Sequence, residues 1–197
     1  MSAASVPLTV SNVRWTLPSR GRVGMYCLIA AESAIFSIFV IAYLFYLGKS
    51  VSGPQPNVLQ VPIFFTICLL SSSLTIHFAV KLLEKGKLGG FSLWWLLTFI
   101  LGALFLYGTA MEWRHLIYDE GLTIQTNLFG TTYYSLVGLH GFHVTVGLLA
   151  LGAVSIFAMF GYVKEEHAER LEVLSLYWHF VDVVWVVVFT VVYVIGR

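Results

Sequence analysis

The sequence predicts an all-α membrane protein: a five-transmembrane-helix bundle with its N-terminus inside and its C-terminus outside. Three observations carry that prediction. Of the 197 residues, 58% are hydrophobic and 11% charged, less than half the ~25% charge usual in soluble domains. The apolar residues gather in long runs separated by short polar segments, and about 20 apolar residues suffice to cross a ~30 Å hydrocarbon core as a helix. The runs neither alternate nor stay short enough for barrel strands, and open sheet edges are not tolerated in lipid.

Residues 1–20 are mixed and polar, with Pro7 and Pro18, and read as a short N-terminal tail before a membrane domain over 21–197. The first span runs over about 24–47 behind Arg20 and Arg22; it is too long for a signal-peptide core and carries Glu32, so it is expected to be retained. "GKSVSGPQPN" breaks the chain before a second span at 61–83. "EKGKLGG" separates that from a third at 92–113, and "RHLIYDEGLTIQTN" leads to a fourth at 129–162. This one is longer than a bilayer needs and is expected to tilt or project. "KEEHAER" precedes the fifth, 172–195. Within the fourth span Gly138, Gly141, Thr145 and Gly152 fall near one stripe, which predicts close helix packing within the chain. Trp94, Trp95 and Trp113 bracket the third span as an interfacial belt would. No internal repeat and no soluble domain is visible.

Cationic side chains set the orientation. Eight of them (Arg14, Arg20, Arg22, Lys81, Lys85, Lys87, Lys164, Arg170) fall on the side of the N-terminus, against three (Lys49, Arg114, Arg197) on the other. A net charge of +1 suggests no nucleic-acid partner. Cys27 and Cys68 lie inside apolar runs and read as buried free thiols rather than a disulfide framework.

An ionisable group at bilayer depth costs roughly 3 kcal/mol on insertion scales. Seven such groups, Glu32, His77, Glu112, His140, His143, His179 and Asp182, must therefore face protein, water or a partner. Depth along the helices makes Glu32, His77 and His179 candidate neighbours, and likewise His143 and Asp182, within about a turn. His140 and His143 stand three apart and share a helix face. Two histidines on one face could bind a metal; His77 and His179 could be axial haem ligands; the plain alternative is a set of interhelical hydrogen bonds with acid partners. Glu32 and Asp182 also have the chemistry of a proton relay. Glu32 has no charged neighbour within a turn on its own helix, so its partner must come from elsewhere. No phosphate loop, nucleophile triad or cysteine metal cluster is visible.

"GLHGFHVTVG" (138–147) followed by "LYWHFVDVVWVVVFTVVYVIG" (176–196) resembles subunit III of the haem–copper oxidases, which carries His-Gly-x-His-Val and then Tyr-Trp-His-Phe-Val-Asp-x-x-Trp on its last two helices. Here these fall at His140, Gly141, His143, Val144, and at Tyr177, Trp178, His179, Phe180, Val181, Asp182, Trp185. "AESAIFSIFVIAY" is similar to the family's membrane-Glu helix, with Glu32 as that carboxylate, and "GTAMEWRHL" places Glu112 at the family's second Glu. "FGTTYYSLVGLHG" departs from the family's Tyr-Gly-Ser segment, with Phe129 for Tyr and Thr131 for Ser. The resemblance covers roughly residues 20–197 and matches the shorter, five-helix bacterial form, lacking two helices that form one arm of a lipid-holding cleft in seven-helix members.

The resemblance implies a non-redox accessory subunit of a proton-pumping terminal oxidase in a bacterial plasma membrane. Such a subunit has no active site of its own and no haem or copper; those belong to subunits I and II. It packs against subunit I, holds phospholipid and supports proton uptake while the complex reduces O₂ to water. The electron donor, cytochrome c or quinol, is not discriminated, and the subunit III-like protein of a nitric oxide reductase is a close alternative. A membrane b-type haem protein is more distant, and a proton-coupled transporter fits poorly with five spans and no repeat.

Overall fold

The computed structural model describes residues 19–50 and 52–196. The expected tail at 1–20 thus falls almost wholly outside the described residues, as do Arg14 and Arg197 of the charge count. Five helices long and apolar enough to cross a membrane account for most of the chain, and no strand occurs among the described residues. They are α1 (Arg20–Tyr46), α2 (Ile63–Glu84), α3 (Leu88–Tyr118), α4 (Leu128–Met159) and α5 (Ala168–Phe189); α5 runs on into a π-helical turn, Thr190–Ile195.

Local chemistry sets the helix ends. Ser19 Oγ accepts from the Arg22 amide at 3.5 Å at the start of α1, and Asn127 Oδ1 accepts from the Gly130 amide at 2.8 Å at the start of α4. Each supplies an acceptor for one of the first, otherwise orphaned helix amides. The Asn127 amide nitrogen also donates to the carbonyls of Ser52 (3.0 Å) and Pro54 (2.9 Å), tying the α1–α2 connection to the head of α4. Between α2 and α3 the turn is three residues long, and Gly86 takes φ +70° there. That left-handed conformation carries little penalty only for glycine.

α1, α3 and α5 begin before their expected spans and α3 also runs past its end, while α4 stops at Met159, short of the expected 162. α3 begins at Leu88 rather than near residue 92 and continues to Tyr118 rather than 113. Apolar composition stops where the oil stops, but intrahelical hydrogen bonding continues into the polar interface. At 1.5 Å per residue, the 31 residues of α3 and 32 of α4 make helices about 46 and 48 Å long. The fourth helix is therefore long, as expected, but not unusually so beside α3.

α2 and α3 form the most extensively packed pair, α4 and α5 pack against them, and α1 lies across α4 and α5. Of the α1 residues, Phe36 and Tyr43 are buried and the rest are partly or fully exposed. Arg22 and Glu172 pair at 2.5 Å, each about a third exposed, which shows that α1 and α5 start at the same end of the bundle. Such an exposed pair adds little stability.

Close packing depends on glycine, though not in the expected stripe. The Trp178 ring of α5 is wedged between Gly102 of α3 and Gly147 of α4; a methyl on either would lie 2.8 or 2.7 Å from it. Gly138 faces Trp113, and Gly152 faces Phe99. Gly141 meets nothing within 4 Å, and Thr145 is exposed. The stripe thus splits because a bundle surrounds α4 on several sides, and the tightest approach of α4 to another helix falls at Gly147, outside the stripe.

Two further expectations are corrected. Trp95 is fully buried, not interfacial: its indole N–H donates to the Leu151 carbonyl at 3.0 Å. Adjacent residues on a helix point about 100° apart, so Trp94 stays partly exposed while Trp95 faces the core. Cys68 is buried, but Cys27 is exposed on the uncovered side of α1; both are free thiols.

Candidate functional site: polar links inside the bundle

α2 supplies a row of hydroxyls that receive donors from α5 and α3. Trp178 Nε1 donates to Ser72 Oγ at 2.8 Å, and Trp185 Nε1 to Thr66 Oγ1 at 3.2 Å. Thr75 Oγ1 and Thr98 Oγ1 share a bond of 2.7 Å between α2 and α3. These serines and threonines were not among the expected site residues. Their signal in the sequence was present, since an apolar helix that keeps "SSSLT" must have partners for it.

Ser73 is the junction for the two residues three apart on α5. Its hydroxyl donates to Asp182 Oδ2 and lies 2.9 Å from His179 Nδ1. The hydroxyl has one proton. With Asp182 ionised, that proton goes to the carboxylate, so His179 Nδ1 carries its own proton and donates to Ser73 Oγ. Asp182 is 3% exposed, and its Oδ1 has no partner among the described residues. Asp182 therefore ties α5 to α2 rather than facing outward. His77 stands four residues beyond Ser73 on the same face of α2, exposed, with its ring edge against Phe78.

His143 and Glu32 join α4 to α1. His143 Nδ1 lies 2.8 Å from the Leu139 carbonyl, which can only accept, so Nδ1 is protonated. Nε2 lies 3.2 Å from Glu32 Oε2. A neutral ring protonated at Nδ1 offers only a lone pair at Nε2. The bond to Glu32 therefore requires one further proton, on the imidazole or on the carboxyl. The pairing by depth differs only in part: Glu32 meets His143 rather than His77 or His179, and Asp182 does not meet His143 but shares Ser73 with His179, its neighbour on the same face of α5. Helix tilt and offset shift relative depth by about a turn, enough to exchange partners.

His140 shares a stripe with His143 but not an environment. It is 1% exposed, stacked on Trp185 with centroids 4.9 Å apart, and edge-on to Phe105. Neither ring nitrogen has a hydrogen-bond partner among the described residues. His143 turns instead toward α1, against Phe36. Among the described residues no group of three or more His, Cys, Asp or Glu lies close enough to hold a metal ion.

Glu112, near the end of α3, accepts from the Tyr193 hydroxyl at 2.9 and 3.0 Å, and Tyr193 lies 3.5 Å from the Tyr133 hydroxyl. The π-helical turn carries Tyr193. An apolar groove of about 540 Å³ runs between α1 and α5, lined among others by Ile29, Ser33, Phe36, Val40, Phe180 and Val184; Glu32 adjoins it in the chain through Ser33 but does not line it.

Five spanning helices whose interior polar side chains bond helix to helix define a multi-pass membrane protein. The family model for cytochrome c oxidase subunit III matches residues 19–197. A cytochrome c oxidase subunit 3 from Bacillus subtilis is 34% identical over 99% of this chain and 95% of its own length. One from Alkalihalophilus pseudofirmus is 34% identical over 93% and 91%. A quinol oxidase subunit 3 from Bacillus subtilis is 31% identical over 88% and 86%. The chain belongs to the cytochrome c oxidase subunit III family.

Proposed function

We propose that this chain is the non-redox subunit III of a proton-pumping haem–copper terminal oxidase in a bacterial plasma membrane. It packs against subunit I, and through the complex against subunit II, with the N-terminus on the inner side. Haems and copper reside in those partners, and O₂ is reduced to water there. Cytochrome c is the donor named for more of the relatives quoted, and quinol is the alternative, since oxidase subunits of both kinds match over most of their length. Beyond the family match, one structural observation supports a non-redox role. The imidazoles with polar partners spend them on neighbouring helices: His143 on Glu32 and His179 on Ser73. The Glu32–His143 pair, with its additional proton and its adjoining groove, suits a role in lipid holding and proton supply.

The decisive experiment is affinity purification of the intact complex through this chain, with mass spectrometry of its neighbours and a reduced-minus-oxidised spectrum before and after the chain is stripped off. The expected result is oxidase subunits I and II as neighbours, and haem bands that remain with them. Haem retained by the isolated chain would overturn the assignment.

A further inference from the structure

The outer side of α2 carries a pattern that the bundle itself does not use. Ile63, Ile67, Leu70, Leu74, His77 and Lys81 are all exposed, and they follow one another at steps of four, three, four, three and four. That is the spacing of a helix that meets a second helix along its length. From Ile63 to Lys81 the seam rises about 27 Å, close to the thickness of a hydrocarbon core. Phe78 packs on Trp94 of α3, and Ser73 bonds His179 of α5. The seam lies between these two contacts and faces away from both neighbours.

Isoleucine and leucine on such a face suit lipid as well as protein. His77 does not. It stands seven residues before Glu84, the last residue of α2, so about 10 Å inside the helix end. A lysine stem can carry its charge to the interface from there, but an imidazole is too short to do so. Even a neutral imidazole keeps one N–H that oil cannot accept. The His77 ring meets the edge of Phe78, and neither His77 nor Lys81 makes an ion pair among the described residues. The two stand one turn apart on one face, so a single carboxylate can take a hydrogen bond from each. A second copy of this chain, related by a two-fold axis along the membrane normal, would instead bring these basic residues against their own counterparts.

We propose that this seam is the docking face for a transmembrane helix of a companion subunit that carries an Asp or Glu at the level of His77 and Lys81. The carboxylate accepts from the His77 N–H and the Lys81 ammonium. Ile63, Ile67, Leu70 and Leu74 interdigitate with apolar side chains of the partner. One polar position in an otherwise apolar seam fixes the register of the pair. The inference rests on the subunit reading above only in that the chain joins a membrane complex of several polypeptides.

The test is photo-crosslinking in the purified complex from p-benzoylphenylalanine incorporated at Leu74, with the linked peptide sequenced by mass spectrometry. The expected link is to another polypeptide, in an apolar segment with an Asp or Glu within about two turns of the linked residue. His77→Phe, at an exposed position with no internal ion pair, is expected to weaken retention of that polypeptide through detergent washing about tenfold, the loss of one charge-assisted bond. His77→Gln keeps an N–H donor and is expected to retain most of it. A link to a second copy of this chain, links to lipid alone, a linked segment without an acid, or equal retention in all three proteins overturns the proposal. Should the complex hold no oxidase subunits while an acid-bearing helix still links at Leu74, the oxidase assignment falls and the docking face stands. Oxidase neighbours with lipid-only links at Leu74 give the reverse.

Discussion

A single hydroxyl, that of Ser73, decides whether Asp182 and His179 are satisfied. It donates to Asp182 and lies within hydrogen-bond reach of His179 Nδ1. Ser73→Ala leaves a 3%-exposed carboxylate with no protein donor and an imidazole with no acceptor. Interhelical hydrogen bonds in membranes are worth about 0.6–2 kcal/mol, and orphaning a buried acid adds to that loss. Ser73→Ala is therefore expected to lower stability by about 1–3 kcal/mol, while Ser33→Ala, whose hydroxyl bonds only the Ile29 carbonyl of its own helix, stays within about 0.5 kcal/mol. Denaturant unfolding in micelles checks both; equal effects would show that Ser73 is not the junction. His140 presents the converse case. Neither of its nitrogens has a partner among the described residues, and its ring packs flat against Trp185.

Among elements, α5 is held chiefly through Trp178, which needs glycine on both α3 and α4. Gly147→Ala places a methyl 2.7 Å from a rigid ring. Overpacking of this kind costs about 1–3 kcal/mol. Gly141→Ala, six residues earlier with nothing within 4 Å, is expected to be near neutral or slightly stabilising through helix propensity. Thermal unfolding of the two variants side by side checks the contrast. Here the limits of sequence reading are physical. Hydrophobic run length made five helices legible, because the bilayer dictates it. The identity of the glycine under the tryptophan was not legible, since it depends on which neighbour each side of α4 meets. The same holds for the site. That Glu32 needed a partner from another helix followed from the cost of a charge in oil. That the partner was His143 rather than His77 or His179 depended on helix offsets smaller than the uncertainty of depth counted along one chain. Trp95 was misplaced for a related reason, because belt composition does not reveal which of two adjacent tryptophans turns inward.

At the scale of the whole molecule, α1 is the least covered helix, and it carries its single acidic side chain, Glu32, to the edge of the bundle. The Glu32 side chain remains 21% exposed, and Ser33, next to it in the chain, lines a groove of about 540 Å³. In a bilayer, that exposure means contact with lipid, a companion subunit or water held between them, which joins the Glu32–His143 pair to the outside of the chain. Two functions for the pair then make opposite demands. A purely structural tie between α1 and α4 needs the hydrogen bond but not the mobile proton, so Glu32→Gln should preserve it and Glu32→Ala should cost about 1–2 kcal/mol of stability. A proton-supply or lipid-supporting role needs an exchangeable carboxyl, so both variants should shorten the working life of the oxidase during turnover while its initial rate holds. The second pattern is expected. It is measured by following O₂ consumption over successive turnovers in the purified complex, with unfolding midpoints recorded in parallel. If Glu32→Gln matches wild type in lifetime while Glu32→Ala loses both lifetime and stability, the carboxyl is only a fastener and the supply role falls.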